Sequence, residues 1–201
     1  MNNGKKQIWI TRRGLLLAAG GVGLLAGLPR AKALDAAEQY VSRLGTEIIG
    51  LARSGLPKQA MRRRFAAIVN RHANVRGVAV LALGPYQKEL PADRREEFFR
   101  FVADYIAAFF VYYANEFRGS DFEVKSSYSQ GRSTVVESKI ILSGGRNADV
   151  SWRVTGGRVS DVKVRGIWLS LQLRKRFNDI LRRSGGDFEP LFAELRSAET
   201  W

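Results

Sequence analysis

The chain has 201 residues, of which 45% are hydrophobic and 26% are charged, with 20 glycines and 5 prolines. This composition excludes a disordered protein, a collagen-like repeat and a polytopic membrane protein. The sequence has no cysteine, which excludes disulfides and thiolate metal sites, and its single histidine, His72, cannot form a histidine-based metal cluster. We therefore expect no metal or other cofactor. The formal charge of +14 favours an anionic partner.

The first 33 residues are typical of an export signal peptide. A basic segment, 1–13, precedes an uncharged run over 14–29 and the small-residue cleavage pattern Ala31-Lys32-Ala33. The Arg12-Arg13 pair resembles a twin-arginine signal, with an ordinary Sec signal and a retained anchor as alternatives. Residues 1–33 contain six of the 33 Lys and Arg residues and no acid, so residues 34–201 carry a formal charge of +8.

Helical spacing of apolar residues predicts helices in both halves of the remaining chain. The predicted helices cover 35–54, 58–72, 91–117 and 169–183, and a last short helix follows Asp187. Gly55 can end the first helix and Pro57 can begin the second. An apolar stretch, 75–83, ends at Gly84-Pro85. Only short turns separate these segments, so we expect residues 34–201 to form a single domain.

Between 122 and 165 the apolar residues alternate with polar ones. Four alternating segments, at 122–130, 133–143, 147–155 and 158–165, are joined by short turns that contain glycine. This pattern predicts a four-stranded antiparallel meander. The apolar face of such a sheet needs a cover, which the helices supply. The expected fold class is therefore α+β, with helices, a four-stranded antiparallel sheet and further helices in chain order.

The predicted helix 91–117 is unusually rich in aromatic residues. Nine of them lie between Phe98 and Phe117 and cover most of the circumference of the helix. Such a helix is either the centre of a core or one wall of an apolar ligand pocket. The periodicity of the sequence does not separate these two interpretations.

Basic clusters occur at 62–64, 94–95, 174–176 and 182–183. They indicate either solvated helix faces or a rim that meets phosphate headgroups or an acidic partner protein. Aromatic residues do not interleave with them, so nucleic acid is not an expected partner. No nucleophile is paired with a base. We expect His72 to end a basic helix and the Asp161 carboxylate to lie opposite the apolar face of the sheet, and we therefore do not expect an enzyme.

The C-terminal third resembles a known family. Residues 159–169 read Val-Ser-Asp-Val-Lys-Val-Arg-Gly-Ile-Trp-Leu and are followed by Arg174-Lys175-Arg176-Phe177 and Gly185-Gly186. This order is similar to the MlaC family, also called the toluene-tolerance auxiliary family, in which serine is usual at the position of Trp168. The segment Val80-Leu81-Ala82-Leu83-Gly84 and the aromatic helix agree with the same pattern.

The resemblance implies a periplasmic carrier of phospholipid. In that family helices wrap a curved sheet and enclose the acyl chains in an apolar cavity. The implied partners are an inner-membrane ABC transporter complex and an outer-membrane lipoprotein and porin complex, each contacted transiently. One branch of the family carries a hopanoid instead of a phospholipid, and this alternative stays open.

Under this interpretation ten residues line the lipid cavity or its mouth. Each could equally belong to a closed core, because both uses require apolar side chains. The aromatic helix contributes three, the sheet contributes five, and two guard the mouth: Tyr105, Phe109 and Tyr113; Val136, Ile140, Val150, Trp152 and Val164; Ile167 and Trp168. The alternative classes are a small pocket-type isomerase with a buried carboxylate or histidine, and an interaction module that binds an acidic partner through its arginines.

Overall fold

The computed structural model describes residues 28–117, 120–142 and 146–198, with side chains described from Asp35 onward. These segments form helices and one antiparallel sheet, an α+β fold as predicted. No helix in the described segments is long and apolar enough to span a membrane. The α-helices are α1 Leu28–Arg53, α2 Lys58–His72, α3 Val75–Leu83, α4 Arg95–Tyr113, α5 Leu169–Arg183 and α6 Glu189–Ser197.

The sheet has five strands, so the prediction of four was wrong. The strands follow one another in space as they do in the chain, and every neighbouring pair is antiparallel. Bulges in β1 and between β3 and β4 bend the sheet. The strands are β1 Asp121–Gln130, β2 Ser133–Ile141, β3 Asn147–Thr155, β4 Arg158–Val164 and β5 Ile167–Trp168.

The fifth strand depends on a two-residue turn. Arg165 and Gly166 both have positive φ, 51° and 83°, as a type I′ turn requires, and they bring Ile167 opposite Val164. β5 has only two residues, which is too short to show alternation. The sequence pattern therefore could not reveal this strand.

One face of the sheet lies against the helices. The strand register places Val136, Val150, Trp152 and Ile140 on this inner face, together with Phe122 of β1. The opposite, outer face carries mostly charged and polar side chains. Alternation along each strand produces this division, as the sequence predicted.

Helix α1 packs closely on β1 because of Gly45. A Cβ atom at this position would lie 2.3–2.5 Å from the ring of Phe122, so only glycine permits the approach. Phe122 in turn meets Trp152 edge-on, with 6.0 Å between ring centroids. The close contact fixes α1 over the β1 side of the inner face.

The remaining helices form the larger part of the core. Phe98 of α4 is fully buried, edge-on to Phe177 of α5 and Phe192 of α6, at 6.0 and 6.2 Å between centroids. Arg94, just before α4, forms ion pairs with Glu97 and Glu189 at 2.5 and 2.6 Å. These contacts hold α4, α5 and α6 together at the start of α4.

Several predicted helix ends differ from the structure. The predicted helix 91–117 consists of α4 with a 3₁₀ turn at each end, Ala92–Arg94 and Ala114–Phe117. Helix α1 begins at Leu28, before the expected cleavage position after Ala33. The rest of the predicted signal peptide, residues 1–27, lies outside the described residues, and so does the predicted Gly144-Gly145 turn.

Candidate functional site

The inner face of the sheet is largely apolar, and its buried polar side chains Trp152 and Ser138 form a hydrogen bond with each other. Val136, Val150 and Trp152 are buried, and Ile140 is partly buried beside them. The indole N–H of Trp152 donates to Ser138 Oγ at 2.8 Å, and Ser138 Oγ donates to the carbonyl oxygen of Val150 at 3.0 Å. These bonds satisfy the polar atoms of Trp152 and Ser138, so this part of the inner face presents apolar surface to the helices.

Tyr105 lies in α4, where its ring is buried and its hydroxyl group reaches toward α6. Burial raises the pKa of Tyr105, as does its hydrogen bond to Glu194, whereas the nearby Arg176 lowers it. The phenol therefore stays neutral and donates to the Glu194 carboxylate. This contact directs the polar end of Tyr105 toward α5 and α6.

Two aromatic residues near the end of α4 are exposed, as they would not be in a fully buried core helix. Phe109 is exposed and 62% of the surface of Tyr112 is accessible. The centroid of the Tyr113 ring lies 4.8 Å from the centroid of the Phe109 ring and 4.9 Å from that of the Tyr112 ring. Helix α4 therefore has buried residues along its whole length, and near its end it also exposes Phe109 and Tyr112, which the sequence pattern did not predict.

An ion pair joins the segment that follows α4 to the β4–β5 turn. Arg165 in the turn forms an ion pair with Glu116, which follows α4, at 3.4 Å. Val164 and Ile167 flank the turn, and both are exposed, Ile167 to 52%. We refer to the group made by the helix end and the turn as the apolar mouth: Phe109, Tyr112, Tyr113, Val164 and Ile167.

Trp168 lies on the other side of the sheet. It pairs with Lys163, which alternates with Val162 and Val164 and so belongs to the outer face. The guanidinium carbon of Arg153 lies 3.9 Å from the centre of a Trp168 ring, and Lys163 Nζ lies 5.4 Å away. The structure therefore places Trp168 beneath two cations.

Asp161 lies on the outer face of the sheet, as expected, but it is buried there. Alternation correctly places it opposite Val162, but its surface is only 2% accessible because the start of α5 covers this part of the outer face. The carboxylate accepts hydrogen bonds from the Ser170 N–H and Oγ at 3.1 and 2.6 Å, and from the Val162 N–H at 2.9 Å. Arg153 is 3.4 Å away.

These hydrogen bonds connect β4 to the start of α5 through Asp161. The bond to the Ser170 amide satisfies one of the free N–H groups at the start of α5, and the negative charge is favourable at that end of the helix. The serine in the first turn of α5 was the one sequence signal that could have indicated a buried partner.

The last residue of α2, His72, packs against α1. The hydroxyl of Tyr40 lies 3.2 Å from His72 Nδ1 and 3.1 Å from its carbonyl oxygen, while Glu47 is 3.7 Å from Nε2. Burial raises the pKa of Tyr40, and the nearby Arg158 lowers it. These contacts join α1 to α2. No group of three or more potential metal ligands occurs in the described part of the chain.

A basic groove runs between α2 and α4. It has a volume of about 740 Å³ and an alanine-rich floor, and none of the ten predicted lining residues belongs to it. Lys58, Arg62 and Arg63 supply positive charge along one wall, and Asp104 lies on the other. Arg62 also donates to the carbonyl oxygen of Ala198 at 3.2 Å. The sequence identified the cluster at 62–64 but not the groove, since that requires knowing that α2 and α4 are adjacent.

Comparisons with known proteins agree with this architecture. The family model described as "MlaC protein" matches residues 46–197. A solved structure of a phospholipid-binding protein from Ralstonia solanacearum, in complex with a phospholipid, superimposes with a TM-score of 0.68 at 15% sequence identity, covering 81% of this chain and 96% of that one. At this identity the match shows a shared fold. No curated protein matched the sequence.

Proposed function

Because this chain belongs to the MlaC family, we propose that it is a phospholipid carrier of the periplasm. In this proposal it carries a phospholipid between two membrane complexes. One is an outer-membrane lipoprotein and porin complex, and the other is an inner-membrane ABC transporter complex. The bound phospholipid in the structurally similar Ralstonia protein supports the choice of ligand. The task is transport, with no catalytic step.

The apolar mouth is the observation that carries the proposal. Four of its five side chains are exposed, and the Arg165–Glu116 ion pair joins the segment after α4 to the β4–β5 turn. A cluster of exposed apolar side chains indicates a binding surface more strongly than single exposed residues do. Val164 of the apolar mouth pairs with Val150 on the neighbouring strand, which connects the mouth to the inner face of the sheet.

The energetics of lipid transport require such a surface. A phospholipid with two acyl chains has about 30 methylene groups, each worth about 0.8 kcal/mol on burial. Roughly 20 kcal/mol therefore opposes its passage through water without protection. A carrier needs apolar surface in quantity and no reactive groups.

We place the acyl chains between the inner face of the sheet and the helices. Val136, Val150 and Trp152 already face apolar side chains there, so the chains would replace existing side-chain contacts as the helices move apart. We place the start of this movement at the end of α4, where Phe109 and Tyr112 are exposed. Phe109 and Tyr113 would then cover the chains nearest the mouth.

A substitution at the mouth tests this assignment. Residues 34–201 suit the experiment because they contain all described strands and every described core residue, from Ala37 onward. We expect Ile167→Glu to slow uptake of a fluorescent phospholipid from vesicles at least about tenfold, because a carboxylate would have to be desolvated beside the acyl chains. The measurement is the initial rate of fluorescence increase.

Tyr128→Glu is the matched control. Tyr128 is also exposed, but it lies on the outer face of β1, away from the mouth. Its substitution is expected to leave the uptake rate within about twofold of the unmodified protein. Equal slowing by both substitutions would contradict the assignment of the mouth.

A further inference from the structure

A second exposed apolar area lies on α3 and the first half of α5. Val80 is exposed, and Leu81 and Leu171 are 54% and 53% accessible. Arg174 and Lys175 follow Leu171 by about one helical turn and are also exposed. We refer to these five residues as the amphipathic patch.

The two helices of the amphipathic patch are in direct contact. The side-chain amide of Asn178 donates to the carbonyl oxygens of Ala82 and Leu83 at 3.0 and 3.1 Å. A Cβ atom at Gly84 would lie 2.8 Å from Arg174 Nε, so the Arg174 side chain crosses the end of α3 three residues after Leu81. This contact brings one cation of α5, Arg174, to the end of α3 that carries Val80 and Leu81.

The two segments that carry the amphipathic patch contain no acidic residue, and the acid that reaches α3, Glu96, is paired with Arg76. Neither 75–88 nor 169–178 includes an aspartate or a glutamate. Further along α5, Arg176 is paired with Glu194 and Arg182 with Asp179. Within the described segments, by contrast, Arg174 and Lys175 have no ion-pair partner, so their charge is available to another molecule.

We propose that the amphipathic patch contacts an anionic lipid surface. Leucines projecting beside unpaired cations match the two parts of a bilayer interface, where the apolar groups insert below the headgroups and the cations meet phosphate. The patch residues do not line the groove between α2 and α4. This contact would hold the carrier at a membrane and is separate from the lipid held at the apolar mouth.

Vesicle binding by residues 34–201 tests the proposal. We expect binding to phosphatidylcholine vesicles with about 30% phosphatidylglycerol, and little binding to phosphatidylcholine alone. The double variant Arg174→Glu with Lys175→Glu should reduce binding about 20-fold or more, since each cation near an anionic surface contributes about fivefold. Leu81→Gln with Leu171→Gln should reduce it about tenfold by removing the inserted apolar groups.

Arg63→Glu with Arg64→Glu is the matched charge control. Both arginines are exposed on α2, and the change in net charge is identical. We expect it to reduce vesicle binding less than about threefold. Thermal unfolding of each variant verifies the fold, and lipid extracted from each variant should remain at the level of the unmodified protein, which separates the patch from the proposed lipid site.

Three results would overturn the inference. Equal losses in the two charge variants would show that only net charge matters, and unchanged binding in the patch variants would place the contact elsewhere. Failure to bind anionic vesicles together with retention on immobilised polyglutamate would indicate an acidic protein partner instead. If no lipid can be extracted but the patch variants alone lose vesicle binding, the carrier proposal fails while this inference stands.

Discussion

Replacing Val150 by tryptophan is expected to remove at least about nine-tenths of the bound phospholipid from a protein that stays folded. Val150 lies on the central strand β3, on the inner face beside Trp152, where we place the acyl chains. A bulky side chain there would occupy the space that the chains require, at a cost of about 1–3 kcal/mol in stability from overpacking. The measurement is lipid per protein by mass spectrometry, with circular dichroism to verify folding.

Val135→Trp is the control for this substitution. Val135 is as deeply buried and lies on the neighbouring strand β2, but its register places it opposite Arg153 on the outer face. Overpacking at Val135 should lower stability by a similar amount and leave the lipid content unchanged. Loss of lipid from both variants would attribute the effect to general destabilisation, and retained lipid in folded Val150→Trp would refute the assignment of this residue.

Substitution of Asp161 is expected to cause a large loss of stability. Substitution by alanine would leave the Ser170 amide and hydroxyl without their acceptor and remove the partner of Arg153, so we expect the free energy of unfolding to fall by roughly 3 kcal/mol. Asp161→Asn keeps an acceptor oxygen and should cost about half as much. Urea denaturation followed by circular dichroism measures both changes.

Asp149 offers a comparison on the protein surface. It is exposed and forms an ion pair with Lys125 at 3.2 Å, so Asp149→Ala should change the free energy of unfolding by less than about 1 kcal/mol. If Asp161→Ala were equally mild, the carboxylate would not hold β4 to the start of α5. Abolished lipid binding in a fully stable Asp161→Ala protein would instead revive the pocket-carboxylate hypothesis.

The sequence predicted the regular parts of the fold well. Helix 58–72 and helix 169–183 have the bounds of α2 and α5, because a proline precedes the first and a glycine pair follows the second. Alternation correctly grouped Val136, Val150 and Trp152 on one face of the sheet. The role of these residues in lipid binding stays a prediction.

The parts that the sequence could not predict depend on contacts between elements. β5 exists because a two-residue turn returns Ile167 to Val164, and Asp161 is buried because the start of α5 covers it. The exposure of Phe109 and Tyr112 likewise depends on which sides of α4 the other helices leave open. A pattern along one segment cannot report which distant segment covers it.

Lipid extraction from residues 34–201, purified from the native host, tests the central claim most directly. We predict near-stoichiometric phospholipid in the extract, identified by mass spectrometry. A hopanoid in its place would preserve the carrier and change its ligand. A folded protein that contains neither lipid would contradict the proposed function and make the inner face of the sheet an ordinary core.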